Sequence, residues 1–175
     1  METNTSVNAG VIEAILRLRD TFGSPPFGSP DPFVALVRYW DQNAGALMGK
    51  TADGKFWVLN ITRCLMDPWA RDQVIKQIAE SDRAEPNGPV TLWIKQEPGQ
   101  IGLARAKNTA FSLAGHVVKF DIPVGGTWLP GLIAQHEKGN LDILRWDEWD
   151  MDDSCLNAMA SAFGKLVNQT GGEIV

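Results

Sequence analysis

Apolar residues are spaced in two ways along this chain: short segments typical of strands, and longer segments with a repeat of three to four positions typical of helices. The short segments predict seven or eight strands, within residues 33–40, 45–51, 55–63, 90–95, 100–107, 111–122, 132–137 and 141–146. The helical repeat predicts three helices, an N-terminal one over 8–22, a central one over 67–81 and a C-terminal one starting near 152.

The first three strands predict a sheet built from hairpins. Only three or four residues separate them, and loops this short join neighbouring antiparallel strands. Asp53 and Gly54 between the second and third strands are typical of a type I′ turn, in which both central residues have positive φ. We therefore predict a single α+β domain over residues 1–175, with a mainly antiparallel sheet covered by the three helices and with residues 1–7 disordered.

Two of the helices have clear signals at their ends. Asp67 and Pro68 are residue types preferred at the N-cap and at the first position of a helix. The C-terminal helix has a stripe of large apolar residues and stops at two glycines, at 171 and 172. Four prolines within residues 24–32 predict a stiff connector between the N-terminal helix and the first strand.

Composition and charge narrow the possible functions. The chain has 175 residues, 44% of them apolar, a net charge of −5 and a pI near 5.0, which disfavours binding to nucleic acid or to an anionic membrane. No apolar segment approaches the ~18 residues of a membrane helix, and the first residues lack the pattern of a signal peptide. We therefore expect a reducing, cytoplasmic location with free thiols. Cys64 and Cys155 are far apart in sequence and form no CxxC motif, so neither a zinc site nor a thioredoxin motif is predicted.

Cys64, His116 and Asp121 have the chemistry of a nucleophile, a base and an orienting carboxylate. Two features argue against this use. Asp121 would lie on the opposite face of the predicted strand 111–122 from His116, and no helix N-terminus clearly activates the Cys64 thiol. We therefore predict no catalytic residue and interpret Cys64 and His116 as structural, with a Cys64-dependent hydrolase or transferase as the third hypothesis.

Carboxylates and tryptophans are concentrated just before the C-terminal helix. They are Trp146, Asp147, Glu148, Trp149, Asp150, Asp152 and Asp153. Acidic residues stabilise the N-terminus of the helix that follows, which alone would account for the acids. A second interpretation is a docking surface for a basic protein, with tryptophan as the anchor. A calcium site ranks third, because the glycine and closing glutamate of an EF-hand loop are absent, so no metal site or cofactor is predicted.

Trp57, Trp93 and His116 indicate a different kind of site. On a curved antiparallel sheet, these three side chains would line one concave face and form a small-molecule pocket. The alternative is that they fill the core. No P-loop, dinucleotide-binding fingerprint or other catalytic motif accompanies them.

An acidic, tryptophan-rich chain without a catalytic signature favours a non-catalytic cytoplasmic protein that binds another protein, as an adaptor, an immunity-type inhibitor or a chaperone. The candidate contact residues are Trp146, Glu148, Trp149 and Asp150. The alternative is a small-molecule-binding domain or enzyme that uses Trp57, Trp93 and His116. The order of elements is similar to that of type III secretion chaperones, small acidic dimers that hold a partner chain, and more loosely to that of profilin-like domains. This likeness of layout assigns no residue a role, and a homodimer stays open.

Overall fold

The computed structural model describes residues 33–63, 67–83, 89–123, 128–143 and 153–170. Within these ranges the chain has an α+β fold with six strands and four helices. The elements are β1 (Phe33–Trp40), β2 (Ala44–Thr51), β3 (Phe56–Arg63), α1 (Pro68–Arg83), β4 (Val90–Lys95), α2 (Gly99–Ser112), β5 (Val118–Asp121), α3 (Leu129–Glu137), β6 (Leu141–Ile143) and α4 (Asp153–Thr170). The predicted N-terminal helix and proline-rich connector lie outside the described residues.

The six strands form one mixed sheet in the order β5-β4-β1-β2-β3-β6. β1 pairs with β2 and β2 with β3 in antiparallel fashion, as the short loops predicted. The pairs β1–β4, β4–β5 and β3–β6 are parallel. Among the described strands only β2 therefore runs against the others, and the prediction of a mainly antiparallel sheet of seven or eight strands is wrong in this respect.

The parallel pairs arise because helices connect the later strands. Residues 100–107 and 132–137, predicted as strands, belong to α2 and α3. The strand predicted over 111–122 is reduced to β5, and β6 pairs with β3 instead of forming a hairpin with 132–137. A chain that crosses through a helix can return in the same direction as the preceding strand, which a short hairpin loop cannot do.

The hairpin between β2 and β3 is closed by a three-residue loop. The Gly54 amide donates to the Thr51 carbonyl at 3.0 Å, and the Thr51 amide donates to the Lys55 carbonyl at 3.0 Å. Gly54 has a φ of +88°, which an L-residue rarely adopts. This pattern is that of a longer hairpin loop with a glycine bulge, so the predicted two-residue type I′ turn is corrected.

Helices cover both faces of the sheet. On one face, called the α4 face, α3 and α4 pack on apolar side chains of β1, β2 and β3. On the other, called the α1 face, a smaller core of Trp40, Leu92, Ile94 and Leu113 packs under α1. The carboxyl ends of β1, β4 and β5 lie side by side and form what we call the carboxyl edge. No helix in the described ranges is both long enough and apolar enough to span a membrane.

Candidate functional site

Small residues attach α2 to the rest of the protein. Its buried residues are Gly102, Ala106 and Thr109, which recur at helical spacing along one side. A Cβ atom on Gly102 would lie 1.8 Å from the carbonyl oxygen of Glu97, in the segment that leads into α2, so only glycine permits this tight entry into the helix. Thr109 Oγ1 donates to Asp72 Oδ1 of α1 at 2.9 Å. The buried side of α2 itself is therefore made of small residues and one buried hydrogen bond, and the large Leu113 is buried just after the helix ends.

The large apolar side chains of α2 face solvent instead. Ile101 is 75% exposed, Leu103 45% and Phe111 86%, and Val117 in the turn that follows is 83% exposed. Single exposed apolar residues are common. Here Leu103, Lys107 and Phe111 recur every fourth position and share one side of α2, and Ile101 and Val117 are exposed near the two ends of the helix. Exposed apolar residues concentrated in this way form a patch of the kind found at interaction sites. We call this patch, together with the exposed Lys107, the α2 surface.

The α2 surface lies in the most basic part of the chain. Residues 98–120 contain Arg105, Lys107 and Lys119 and no carboxylate, although the whole protein has a net charge of −5. Neither the first nor the last turn of α2 carries an acidic residue that would neutralise these cations. The surface is consequently apolar and positively charged, whereas the contact segment predicted from the sequence is acidic.

A cluster of polar side chains on the α4 face connects the carboxyl edge to α4 through hydrogen bonds. Asp121 Oδ2 accepts a hydrogen bond from the Tyr39 hydroxyl at 2.7 Å, and Asp121 Oδ1 lies 2.8 Å from Lys165 Nζ. Lys165 Nζ also lies 4.0 Å from the centre of the Trp93 ring, a cation–π distance. Burial, reinforced by Asp121, raises the pKa of Tyr39 far above its usual value. The phenol is thus a hydrogen-bond donor and not a base, and the cluster serves to hold β1, β5 and α4 together.

The proposed thiol, imidazole and carboxylate are not assembled within the described residues. Cys64 lies outside them, and the other cysteine, Cys155, is buried in α4. His116 is in the turn after α2 rather than on a strand, with its backbone amide donating to the Leu113 carbonyl at 2.9 Å. Asp121 contacts Tyr39 and Lys165, as described above.

Trp57 and Trp93 lie on opposite faces of the sheet. Trp93 packs against the core of the α4 face, to which Phe56 and Val58 also belong. Trp57 lies between those two residues in β3 and therefore points to the other face, where its Nε1 donates to Thr51 Oγ1 at 3.2 Å. Trp57, Trp93 and His116 thus do not line a common pocket. The predicted contacts Trp146, Glu148, Trp149 and Asp150 lie outside the described residues.

Neither a metal-binding arrangement of side chains nor a comparison with known proteins indicates an activity. In the described ranges, no group of three or more His, Cys, Asp or Glu side chains is arranged to hold a metal ion. No known protein-family model matches the sequence, and no curated protein is significantly similar to it. The sequence does not predict the α2 surface, because residues 100–107 lack a helical repeat of large apolar residues and are predicted as a strand. A signal for it was nevertheless present, in 23 consecutive residues without a carboxylate.

Proposed function

We propose that this protein is a non-catalytic protein-binding domain that docks an acidic segment of its partner on the α2 surface. The observation that carries the proposal is the exposure of Phe111, Ile101 and Val117 on a part of the chain that is free of carboxylates. An adaptor, an immunity-type inhibitor or a chaperone would each use such a surface. The acidic segment around Trp146 and Trp149, predicted to bind a basic partner, stays a separate prediction.

The chemistry of the surface defines the partner. Apolar side chains from the partner would cover Phe111 and Ile101, and burying one large apolar side chain contributes about 1.5–3 kcal/mol. Aspartate or glutamate residues beside those anchors would pair with Lys107, which mainly speeds the encounter and makes it sensitive to salt. We therefore expect an acidic segment with one or two aromatic or aliphatic anchors.

Selection from a display library of random peptides tests this proposal. We expect selected peptides to be rich in Asp and Glu around an aromatic or leucine residue, and Phe111→Ser to weaken their binding by roughly tenfold or more. Lys107→Glu should weaken binding most at low salt. The matched control is Trp69→Ser, because Trp69 is another largely exposed aromatic residue, 71% against 86% for Phe111, and lies outside the α2 surface.

Three results would contradict the proposal. One is a set of selected peptides that are basic or uncharged. Another is equal loss of binding in Phe111→Ser and Trp69→Ser, which would show that exposed aromatic residues bind without specificity. The third is a dimer in sedimentation experiments that Phe111→Ser disperses, because the α2 surface would then be covered by a second copy of the chain.

A further inference from the structure

A cleft opens at the carboxyl edge, between α1 and α2. It has a volume of about 240 Å³ and lies beyond the ends of β1 and β4. The turn after β1 and the residues after β4 form its floor, and the first turns of α1 and the middle of α2 form its walls. In sheets with parallel strands, ligands bind preferentially at this edge, because the chain leaves adjacent strands there and diverges.

The lining of the cleft carries more positive than negative charge. Arg71, Lys95 and Arg105 line it, together with the carboxyl groups of Asp72 and Glu97. Glu97 Oε1 accepts a hydrogen bond from Gln42 Nε2 at 2.7 Å and lies 3.7 Å from Lys95 Nζ. Asp72 is buried and accepts the hydrogen bond from Thr109, and burial raises its pKa above the usual value. Both acids therefore already have partners, and so does Lys95, whose Nζ also lies 3.4 Å from Asp41 Oδ1. The groups relevant to binding an anion are consequently the two arginines.

Two guanidinium groups belong to opposite walls of the cleft. Arg71 Nη2 of α1 donates to the Asp41 carbonyl at 2.9 Å, which fixes that guanidinium beside the turn after β1. Arg105 comes from α2 and forms no ion pair with the other residues that the structure describes. Guanidinium groups bind carboxylate and phosphate oxygens through paired hydrogen bonds, so two of them across a small cleft suit an anion.

The amide side chains in the lining add neutral hydrogen-bonding groups. Asn43 comes from the turn after β1 and Asn108 from α2, so the floor and one wall each contribute an asparagine. The volume is below the about 300–1,000 Å³ of pockets that hold drug-sized molecules, which limits the ligand to a small one. Lys107 of the α2 surface points away from the cleft, because positions 105 and 107 are about 160° apart around the helix axis.

We propose that this cleft binds a small organic anion, whose carboxylate or phosphate group lies between Arg71 and Arg105. The asparagine amides would bind the polar remainder of the molecule. This inference does not depend on the α2 surface, and it adds a small-molecule site to a protein-binding domain. It differs in position and in ligand chemistry from the pocket expected around Trp57, Trp93 and His116.

An NMR titration of the ¹⁵N-labelled full chain tests the proposal, with inorganic phosphate and malonate as probes and chloride at matched ionic strength as the reference. We expect saturable shifts in the backbone amides of Gln42, Gln96 and Asn108. The tighter of the two probes identifies the preferred anionic group. Arg105→Gln should weaken binding by roughly tenfold, because the anion loses a paired, charge-assisted contact.

Lys107→Gln is the matched control, because it removes the same charge from the same helix outside the cleft. It should change the affinity by less than about twofold, since an exposed charge is screened by salt. If Arg105→Gln fails to fold, Arg105→Lys keeps the charge but removes the paired hydrogen bonds, and it should still weaken binding. Shifts that do not saturate, or equal affinities in Arg105→Gln and Lys107→Gln, would overturn the proposal. Neither outcome bears on peptide binding at Phe111, which the display selection tests separately.

Discussion

α4 and α2 lie on opposite faces of the sheet and use their large apolar residues in opposite ways. α4 buries such residues against β1, β2 and β3, namely Leu156, Met159, Phe163 and Leu166. α2 buries Gly102, Ala106 and Thr109 and exposes its large apolar residues. When the small residues of a helix are buried, its large apolar residues face solvent. In α2 these exposed residues form the surface on which we propose that a partner protein docks.

The difference follows from what each helix packs against. On the α4 face, β1 and β2 present Ala35, Ala44 and Ala46, and these small strand residues leave space that large helix side chains fill. α2 instead starts with a tight turn from Glu97, where a Cβ atom at Gly102 has no room, and its other buried residues are small. Large helix residues therefore fill the core on the α4 face, whereas the buried side of α2 is made of small ones.

The largest expected effect comes from truncating one phenylalanine on each helix. Phe163 is buried with its ring centre 4.9 Å from that of Phe56 and 6.2 Å from that of Trp128. Phe163→Ala should therefore lower the free energy of unfolding by about 3–5 kcal/mol. Phe111→Ala should change it by no more than about 0.5 kcal/mol, because the side chain faces solvent. Urea denaturation measures both, and a large loss in Phe111→Ala would mean that the α2 surface is part of the core.

An intermediate effect on stability is expected at Gly102, where a substitution tests the close contact between α2 and the Glu97 carbonyl. Alanine is a better helix former than glycine by about 1 kcal/mol, so an open site would be stabilised by the change. At Gly102 the new Cβ would overlap the Glu97 carbonyl oxygen, so we expect Gly102→Ala to destabilise the protein by about 1–3 kcal/mol.

The control for Gly102→Ala is Ala104→Gly, at an exposed position of the same helix. It measures helix propensity alone and should cost about 1 kcal/mol. Thermal or urea unfolding of both variants gives the two free energies. A stabilised Gly102→Ala protein would show that α2 does not approach Glu97 so closely, and the comparison with α4 would then lose its physical basis.

The difference between large buried residues in α4 and small buried residues in α2 also decides which elements could be predicted from the sequence. α4, β1, β3 and β4 could be predicted because large apolar residues mark their buried positions, whereas the central helix and β2 could be predicted from the cap at Asp67 and Pro68 and from the turn at Asp53 and Gly54. α2 is predicted as strands because its buried stripe consists of small residues, which give no helical repeat of large apolar residues. Hydrophobic periodicity detects large buried residues, so it fails for a helix attached through glycine, alanine and threonine.

The candidate site was harder to predict than the fold. Alternation along one strand gives the two faces of that strand, but it does not relate Trp57 of β3 to Trp93 of β4. That relation depends on the pairing through β1 and β2, which includes an irregularity between Leu47 and Met48. At this irregularity β3 has one extra residue, and Ile61 consequently lies in the same core as Phe56. Simple alternation along β3 would place Ile61 on the face of Trp57 instead. Such a bulge and the order of the strands are set by tertiary packing, which no local pattern contains.

The smallest expected effect concerns the buried carboxyl that joins α2 to α1. Burial raises the pKa of Asp72, while the hydrogen bond from Thr109 and the charge of Arg71 act in the other direction. The folded state then binds this proton more tightly than the unfolded state does. The stability that results is fully present below the unfolded pKa of about 3.9 and is lost as the pH rises through the folded value. Asp72→Asn keeps an acceptor for Thr109 but has no charge, so its stability relative to the wild type should rise as the pH increases above the unfolded pKa of about 3.9.

Asp53, in the loop between β2 and β3, supplies a control of opposite sign. The hydrogen bond from Thr51 lowers the pKa of Asp53, so this carboxylate contributes stability above its unfolded pKa and loses it in acid. The stability of Asp53→Asn relative to the wild type should therefore fall as the pH rises towards and through the unfolded pKa of about 3.9, and it should stay level above that. Urea unfolding at several pH values measures both changes. A stability of Asp72→Asn that does not rise relative to the wild type above about pH 4 would mean that Asp72 is not desolvated between α1 and α2.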